Sequence, residues 1–142
     1  MSSPAADDPL SHAESTRMGI VLQLSLPDES RVDEPVPLVL RLTNTTALPL
    51  ELGLQGRTIV FDVIVTGPND SEIWSRLHGQ SLSAILQLRV LQPGEVLELS
   101  ARWDQRGNSG HPVPPGTYRV QGVLPTEARV MRSEPKTLLI HR

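Results

Sequence analysis

The sequence predicts an all-β fold, a sandwich of two antiparallel layers with about seven to nine strands. Three observations support this prediction. Apolar and polar residues alternate along most of the chain, proline–glycine turns separate the alternating segments, and no strand–helix–strand order is present. The 13 prolines and 10 glycines also fit many short strands joined by turns. With 142 residues, the chain is long enough for one domain with its own core.

The first half of the chain combines a polar start with segments of period two. Residues 1–17 are rich in Ser, Ala, Asp and Pro, which predicts a disordered tail ahead of a domain at 18–142. The strands then follow the alternating aliphatic residues, whereas 27–35 is polar and predicted to be a turn region. Gly67–Asp70 is a strong turn signal and predicts a hairpin. The predicted strands are residues 18–26, 38–44, 50–54, 59–66 and 72–74.

The second half continues the pattern. Leu82, Ala84, Leu86, Leu88 and Val90 alternate with a set that includes Ser83, Gln87 and Arg89, which favours a strand, although leucine and alanine leave a helix as the competing interpretation. Two Pro-Gly pairs suit type II turns, since proline presets the first central residue and glycine accepts positive φ at the second. Further strands are predicted at 97–103, 118–124 and 137–141.

The few aromatic residues are expected at positions where packing matters most, because each ring buries a large surface. Trp103 is in phase with buried aliphatic residues and is predicted to be a core residue, and Trp74 is assigned to the core as well. Tyr118 follows a turn glycine at the start of a strand. This position predicts a tyrosine corner, in which the hydroxyl bonds to backbone a few residues upstream. A catalytic phenol would need a partner base that the sequence does not provide.

Composition narrows the possible functions. The net charge is −3 and Lys136 is the single lysine, which argues against a nucleic-acid or membrane-surface partner. The absence of cysteine excludes disulfides, thiol catalysis and Cys-ligated zinc. Residues 1–17 do not have the pattern of a signal peptide, and no stretch approaches the length of a membrane span. We therefore expect a cytoplasmic protein.

The sequence carries no clear catalytic or metal-binding motif. Its four histidines, at positions 12, 78, 111 and 141, do not pair at spacings that place two imidazoles on one face of a strand or helix. Nucleophile-elbow, phosphate-loop and dinucleotide-binding motifs are also missing. We expect no catalytic residues, no metal and no cofactor. An enzyme with a site assembled across the fold remains a third possibility.

A series of motifs resembles a known family. The series runs from Phe-Asp-Val-Ile-Val at residue 61 through Trp74, Pro-Gly-Glu at 93–95 and Trp-Asp at 103–104 to Pro-Pro-Gly-Thr-Tyr at 114–118. Together with the segment 38–46, it resembles the intracellular proteinase inhibitor (BsuPI-like) domain family over most of the chain. The resemblance implies an immunoglobulin-like sandwich and a non-catalytic inhibitor of a serine proteinase, with a subtilisin-like enzyme as the partner to test. The alternative is an immunoglobulin-like interaction or structural module with another protein partner.

Two loops are the candidates for binding, and the sequence does not choose between them. The longer, Asp104–Pro115, has prolines that could stiffen its C-terminal half, while Gly107 and Gly110 are expected to loosen its N-terminal half. The shorter, Ser75–Gln80, offers a leucine as an apolar probe. The candidate residues are Arg106, Asn108 and His111 in the longer loop and Arg76, Leu77 and His78 in the shorter one.

Overall fold

The computed structural model describes residues 19–82 and 85–142. Within these residues the chain forms eleven strands and no helix, so no helix among them could cross a membrane. The strands are β1 (Ile20–Ser25), β2 (Glu29–Arg31), β3 (Val36–Asn44), β4 (Leu50–Gln55), β5 (Asp62–Thr66), β6 (Glu72–Ser75), β7 (Leu86–Leu91), β8 (Val96–Trp103), β9 (Gly116–Pro125), β10 (Val130–Arg132) and β11 (Lys136–His141).

Strand β9 is at the centre of the larger sheet. Strand β5 pairs with it on one side, and β11 and β10 share the other side, β11 along the first half of β9 and β10 along the second. The sheet ends at β6 beyond β5 and at β2, which is parallel to β11. Between β10 and β11, the buried Ser133 hydroxyl accepts a hydrogen bond from the Gly122 N–H at 2.8 Å. The Ser133 hydroxyl oxygen thus takes the place of a backbone acceptor beside β9, in the gap between β10 and β11.

The second layer consists of β1, β3 and β8, all antiparallel with β3 in the middle. Strands β4 and β7 form a separate antiparallel pair. Since β4 follows β3 and β7 precedes β8, this pair continues the β3–β8 ribbon beyond a bend. Asn44 is fully buried at the bend, where its Nδ2 donates to Leu48 O at 2.8 Å and Leu91 O at 2.9 Å. The predicted end of the strand at Asn44 therefore marks the point where the ribbon turns.

The core lies between the two layers and is mostly aliphatic. On β3, Leu38, Leu40 and Leu42 are almost completely buried, and each such leucine contributes about 2 kcal/mol by leaving water. The layers approach closely at Gly122, where an added Cβ would lie 2.4 Å from Leu40 Cδ1. Glycine at this position therefore allows the two sheets to pack face to face. The remaining core residues of the strands include Leu22, Leu24, Val63, Val65, Leu97, Val120, Leu124, Leu138 and Ile140.

The fold predicted from the sequence is confirmed: the chain is an all-β, immunoglobulin-like sandwich. The hairpin across Gly67–Asp70 is present as β5 and β6, and Gly94 has φ of 75°, the value that a type II turn requires of its second central residue. The second Pro-Gly pair does not form the predicted type II turn, because Gly116 has φ of 156° and begins β9. The period-two segments at residues 38–44, 97–103 and 118–124 are strands with the predicted inward faces.

Several details of the prediction need correction. Strands β2 and β10 were missed, and β2 lies inside the region predicted to be a turn. The segment at Leu86–Leu91 is a strand, yet its alternating aliphatic residues face solvent: Leu88 is 68% exposed, while Leu91 is buried. The reason is that β7 pairs only with β4, and none of the described strands covers its outer face. Residues 83–84 and the predicted tail at 1–17 lie outside the described residues.

Candidate functional site

The longer candidate loop, Asp104–Pro115, folds back on itself as a small hairpin. Gly107 N–H donates to His111 O and Val113 N–H donates to Gln105 O, both at 2.9 Å, and an isolated β-bridge joins Arg106 to Pro112. The expectation that the glycines loosen this half of the loop is therefore wrong. Gly110 has φ of 88°, which closes the tip of the hairpin, and Gly107 is held by a backbone hydrogen bond.

Aromatic side chains fix both ends of this loop. Trp103 Nε1 donates to Arg106 O at 2.8 Å, and the Tyr118 hydroxyl donates to Pro114 O. The second contact is the predicted tyrosine corner. Trp103 is fully buried, as predicted, and its ring centroid lies 6.1 Å from that of Tyr118 and 5.8 Å from that of the half-buried Trp74. The loop thus rests on a cluster of three rings and not on a disulfide.

Burial also anchors the start of the loop. Gln105 is 3% exposed, and its Nε2 donates to Arg31 O and Glu34 O, each at 2.7 Å. The residue has a positive φ of 63°, which is unusual for a side chain other than glycine. The sequence places Gln105 within the longer candidate loop, and no local pattern indicates that it is buried.

Asn108 connects the longer loop to the edge of the larger sheet. Its backbone N–H donates to Ile73 O at 2.8 Å, and its Oδ1 accepts from Ser75 N–H at 2.9 Å. Its Nδ2 donates to Glu72 Oε2 at 3.0 Å. Asn108 therefore joins the longer loop to β6 through both its backbone N–H and its side chain. As a result, the two candidate loops, separate in the sequence, lie side by side.

The shorter loop, Ser75–Gln80, is organised by Asp62. The Asp62 carboxylate accepts from the Ser75 hydroxyl at 2.8 Å and from Leu77 N–H at 3.2 Å. Two successive turns follow, closed by hydrogen bonds from His78 N–H to Ser75 O and from Gln80 N–H to Leu77 O, both at 3.0 Å. The sequence showed Asp62 only as an outward-facing strand residue. Its role in shaping the loop depends on the β5–β6 hairpin.

Two contacts hold the side chain of Arg76, the arginine of the shorter loop. Its Nη1 donates to Phe61 O at 2.7 Å, and its guanidinium carbon lies 3.9 Å from the centroid of the Phe61 ring. Burial lowers the pKa of Arg76 from its usual value, and the nearby Asp62 carboxylate opposes this effect. The side chain is therefore held in place with its charge partly desolvated.

The two loops enclose a shallow cleft of about 220 Å³ between Arg76 and His78 on one side and Arg106 and Gly110 on the other. We call residues 75–80 and 104–115 together the two-loop surface. Arg106, His78 and His111 are exposed on it, whereas Arg76 and Asn108 are half-buried. Leu77 is also half-buried and lines a neighbouring cavity.

Within the described part of the chain, the polar side chains of this surface form neither a metal-binding cluster nor an oriented triad. Among the residues that the structure describes, no group of three or more His, Asp or Glu side chains could hold a metal ion. The pair nearest to a nucleophile and its base is Ser109 Oγ with His111 Nδ1 at 3.0 Å. Both residues are exposed, and none of the described carboxylates forms an ion pair with His111. The imidazole thus lacks the third group that orients it in a catalytic triad.

Fold and loops together define an immunoglobulin-like β-sandwich domain with an ordered two-loop surface at one end. The profile of the intracellular proteinase inhibitor (BsuPI) family matches residues 23–129. The chain belongs to this family. No curated protein matches the chain.

Solved structures share the architecture at low sequence identity. The sporulation control protein Spo0M from Bacillus subtilis is 10% identical with a TM-score of 0.54, and the match covers 87% of this chain and 50% of that protein. A β-glucosidase from Listeria innocua is 15% identical with a TM-score of 0.50, covering 87% and 16%. The CARDB domain of PF1109 from Pyrococcus furiosus is 12% identical with a TM-score of 0.46, covering 85% and 86%. At these identities the likeness to Spo0M and the glucosidase concerns the fold alone.

Proposed function

We propose that this protein is a non-catalytic, intracellular inhibitor of a serine proteinase of the subtilisin-like class, and that it binds the enzyme through the two-loop surface. Membership of the intracellular proteinase inhibitor family supports the partner class. The family description and the absence of cysteine both fit the cytoplasm as its location.

The observation that carries this proposal is the anchoring of the longer loop. An inhibitor has to enter an active-site cleft without losing much conformational entropy, and preorganisation lowers that cost. Here Asn108 ties the loop to β6, and Trp103 and Tyr118 fix its two ends. Prolines at 112, 114 and 115 restrict φ in the segment that returns to β9. A loop without disulfides is thereby held in one conformation.

Arg106 is the residue that we assign to direct contact. Its side chain is exposed, and its Nη1 donates to Gly110 O at 2.9 Å, which positions the guanidinium at the edge of the cleft. Arg76, across the cleft, supplies a second positive charge. Acidic or carbonyl groups around the active site of the enzyme would be the matching acceptors.

An inhibition assay with subtilisin tests the proposal. We expect the full chain to inhibit at micromolar concentration and Arg106→Glu to weaken inhibition by about tenfold or more. Arg129→Glu is the matched control, because Arg129 is exposed beyond the far end of β9 and does not line the cleft. Mass spectrometry of the mixture should show both loops intact. Full enzyme activity at micromolar protein, together with rapid cleavage of the loops, would contradict the proposal.

One observation favours the alternative, a binding module for a partner that is not a proteinase. The tip of the longer loop is compact, because the Arg106–Pro112 bridge and the turn at residues 107–110 close it. A proteinase cleft takes extended backbone, whereas a compact tip suits a flatter partner surface. If subtilisin stays fully active while the loops stay intact, this second function is favoured.

A further inference from the structure

Strand β8 has no partner on its outer edge among the strands of residues 19–82 and 85–142. It is the last strand in the order β1-β3-β8. Asn44 N–H donates to Glu95 O at 3.2 Å, so Asn44 and Glu95 are a hydrogen-bonded pair at the start of the β3–β8 ladder. Because such pairs alternate in an antiparallel ladder, Leu97 and Leu99 bond to β3, and Glu98 and Ser100 turn their backbone N–H and C=O groups away from it.

A groove of about 450 Å³ runs along this open edge. Glu98 and Ser100 of β8 line it, together with most of the segment from Arg57 to Phe61. Half-buried aliphatic residues, Ile59 among them, contribute apolar surface to the lining. An extended chain placed here would satisfy the free backbone groups of β8 while its alternate side chains covered apolar surface.

Positive charge dominates the rim of the groove. Arg57, Arg76 and Arg89 all line it, against the single carboxylate of Glu98. That carboxylate already accepts from Arg41 Nε at 2.5 Å. Arg89 lies 3.5 Å from Glu95, whereas Arg57 has no ion-pair partner among the described residues. The side chains that line the groove therefore carry more positive than negative charge, although the Asp62 carboxylate also lies near Arg76 and the chain as a whole has a net charge of −3.

We propose that this groove binds an extended acidic segment of a partner protein, which adds as a strand to β8 and places carboxylates against Arg57, Arg76 and Arg89. Charge selects this occupant over a second copy of the chain, because a copy paired through the same edge would bring like arginines together. The groove shares Arg76 with the two-loop surface but does not include Arg106, so charge reversal at Arg57 and Arg89 tests it apart from the proposed inhibitory contact.

Binding of a defined peptide to the full chain tests the proposal. The probe is a fluorescent peptide of alternating glutamate and valine, about ten residues long, and fluorescence anisotropy reports its binding. A peptide of alternating lysine and valine controls for apolar pairing alone. We expect the acidic peptide to bind and the basic one not to, with binding that weakens as salt increases. Equal binding of the two peptides would overturn the proposal.

Charge reversal locates the contact. Arg57→Glu and Arg89→Glu should each weaken binding of the acidic peptide by about tenfold, while Arg129→Glu, outside the groove, should leave it unchanged. Both substituted arginines lie outside the two-loop surface, so inhibition of subtilisin should persist in these variants. Unchanged binding in Arg57→Glu and Arg89→Glu would exclude the groove as the site.

Two further measurements distinguish strand addition from other outcomes. Backbone amides of Glu98 and Ser100 should exchange with solvent more slowly when the acidic peptide is bound, and a peptide methylated on alternate backbone nitrogens should bind poorly. Unchanged exchange at both amides would overturn strand addition. Sedimentation of the free chain checks the remaining occupant: a dimer that Arg57→Glu dissolves would make the partner a second copy and contradict the proposal.

Discussion

The replacement Asn108→Ala tests whether one side chain holds the two loops together. It removes the acceptor of Ser75 N–H at 2.9 Å and the donor to Glu72 Oε2 at 3.0 Å, and it leaves the backbone hydrogen bond from residue 108 to Ile73 in place. A net contribution of about 1 kcal/mol from each bond gives a loss of about 2 kcal/mol in the free energy of unfolding. For a domain of this size, that loss lowers Tm by about 7 °C.

Limited proteolysis measures how the same substitution affects opening of the longer loop. Arg106 lies within the loop and is exposed, so trypsin can cleave after it when the loop opens. If opening is fast relative to cleavage, the rate follows the population of the open loop, and 2 kcal/mol corresponds to an increase of about 30-fold. Scanning calorimetry measures the shift in Tm, and the time course of the cleaved fragment measures the change in the rate of cleavage.

Asn108→Asp is the matched variant. It retains an oxygen that accepts from Ser75 N–H, but it replaces the hydrogen bond to Glu72 with repulsion between two carboxylates. Glu72→Gln in the same chain should recover part of the stability, because it removes that repulsion. If Asn108→Ala shifts Tm by less than about 1 °C and leaves cleavage after Arg106 unchanged, the side chain does not hold the loops together.

The remaining predictions concern the core, the tyrosine corner and the exposed face of β7. Gly122→Ala places a methyl group 2.4 Å from Leu40 Cδ1 and should destabilise the fold by about 1–3 kcal/mol in urea denaturation; a neutral effect would contradict the close approach of the sheets. Burial raises the pKa of Tyr118, so its contribution to stability is complete below about pH 10 and decreases as pH rises through the folded-state value. Tyr118→Phe should abolish that decrease and cost about 1 kcal/mol at neutral pH, and a spectroscopic titration of the single tyrosine with a midpoint below about pH 10 would refute the assignment. Leu88→Ser, at a residue that is 68% exposed, should change the free energy of unfolding by less than about 0.5 kcal/mol, and a larger loss would show that the outer face of β7 is covered.

The strands that the sequence predicts well are those whose two faces differ in environment. Leu38, Leu40 and Leu42 alternate with more exposed residues because one face of β3 meets the other sheet. The same reasoning assigned a strand to residues 82–90, and in the observed strand at Leu86–Leu91 the alternating aliphatic residues face solvent. Alternation reveals a period of two, but it does not reveal which face a neighbouring layer covers.

The strands that the sequence does not predict are short, and their conformation depends on pairing with a neighbouring strand. Glu29–Arg31 contains no alternating apolar pattern, and it is a strand because it lies parallel to the end of β11. Val130–Arg132 pairs with the second half of β9 after a tight turn. Three residues are too few for a period to be recognised, so tertiary contacts decide their conformation.

In the candidate site, too, features with a local sequence signal were predicted, and features that depend on tertiary contacts were not. The sequence identified both loops and the tyrosine corner, because turn residues and the position of Tyr118 are local signals. It did not show that the loops meet, since Asn108 and Ser75 are 33 residues apart and pair only after β6 becomes a sheet edge. Glycines at 107 and 110 suggested flexibility, whereas in the fold they allow the tight hairpin.

Amide hydrogen exchange of the free protein measures most directly whether the two loops form one ordered surface. We predict that the N–H groups of Gly107, Asn108 and Val113 exchange far more slowly than an unstructured chain, since each donates to a backbone carbonyl. The amide of Ser75 should be protected as well in the native chain and lose that protection in Asn108→Ala. Exchange of all four amides at the rate of an unstructured peptide would contradict an ordered, preformed binding surface.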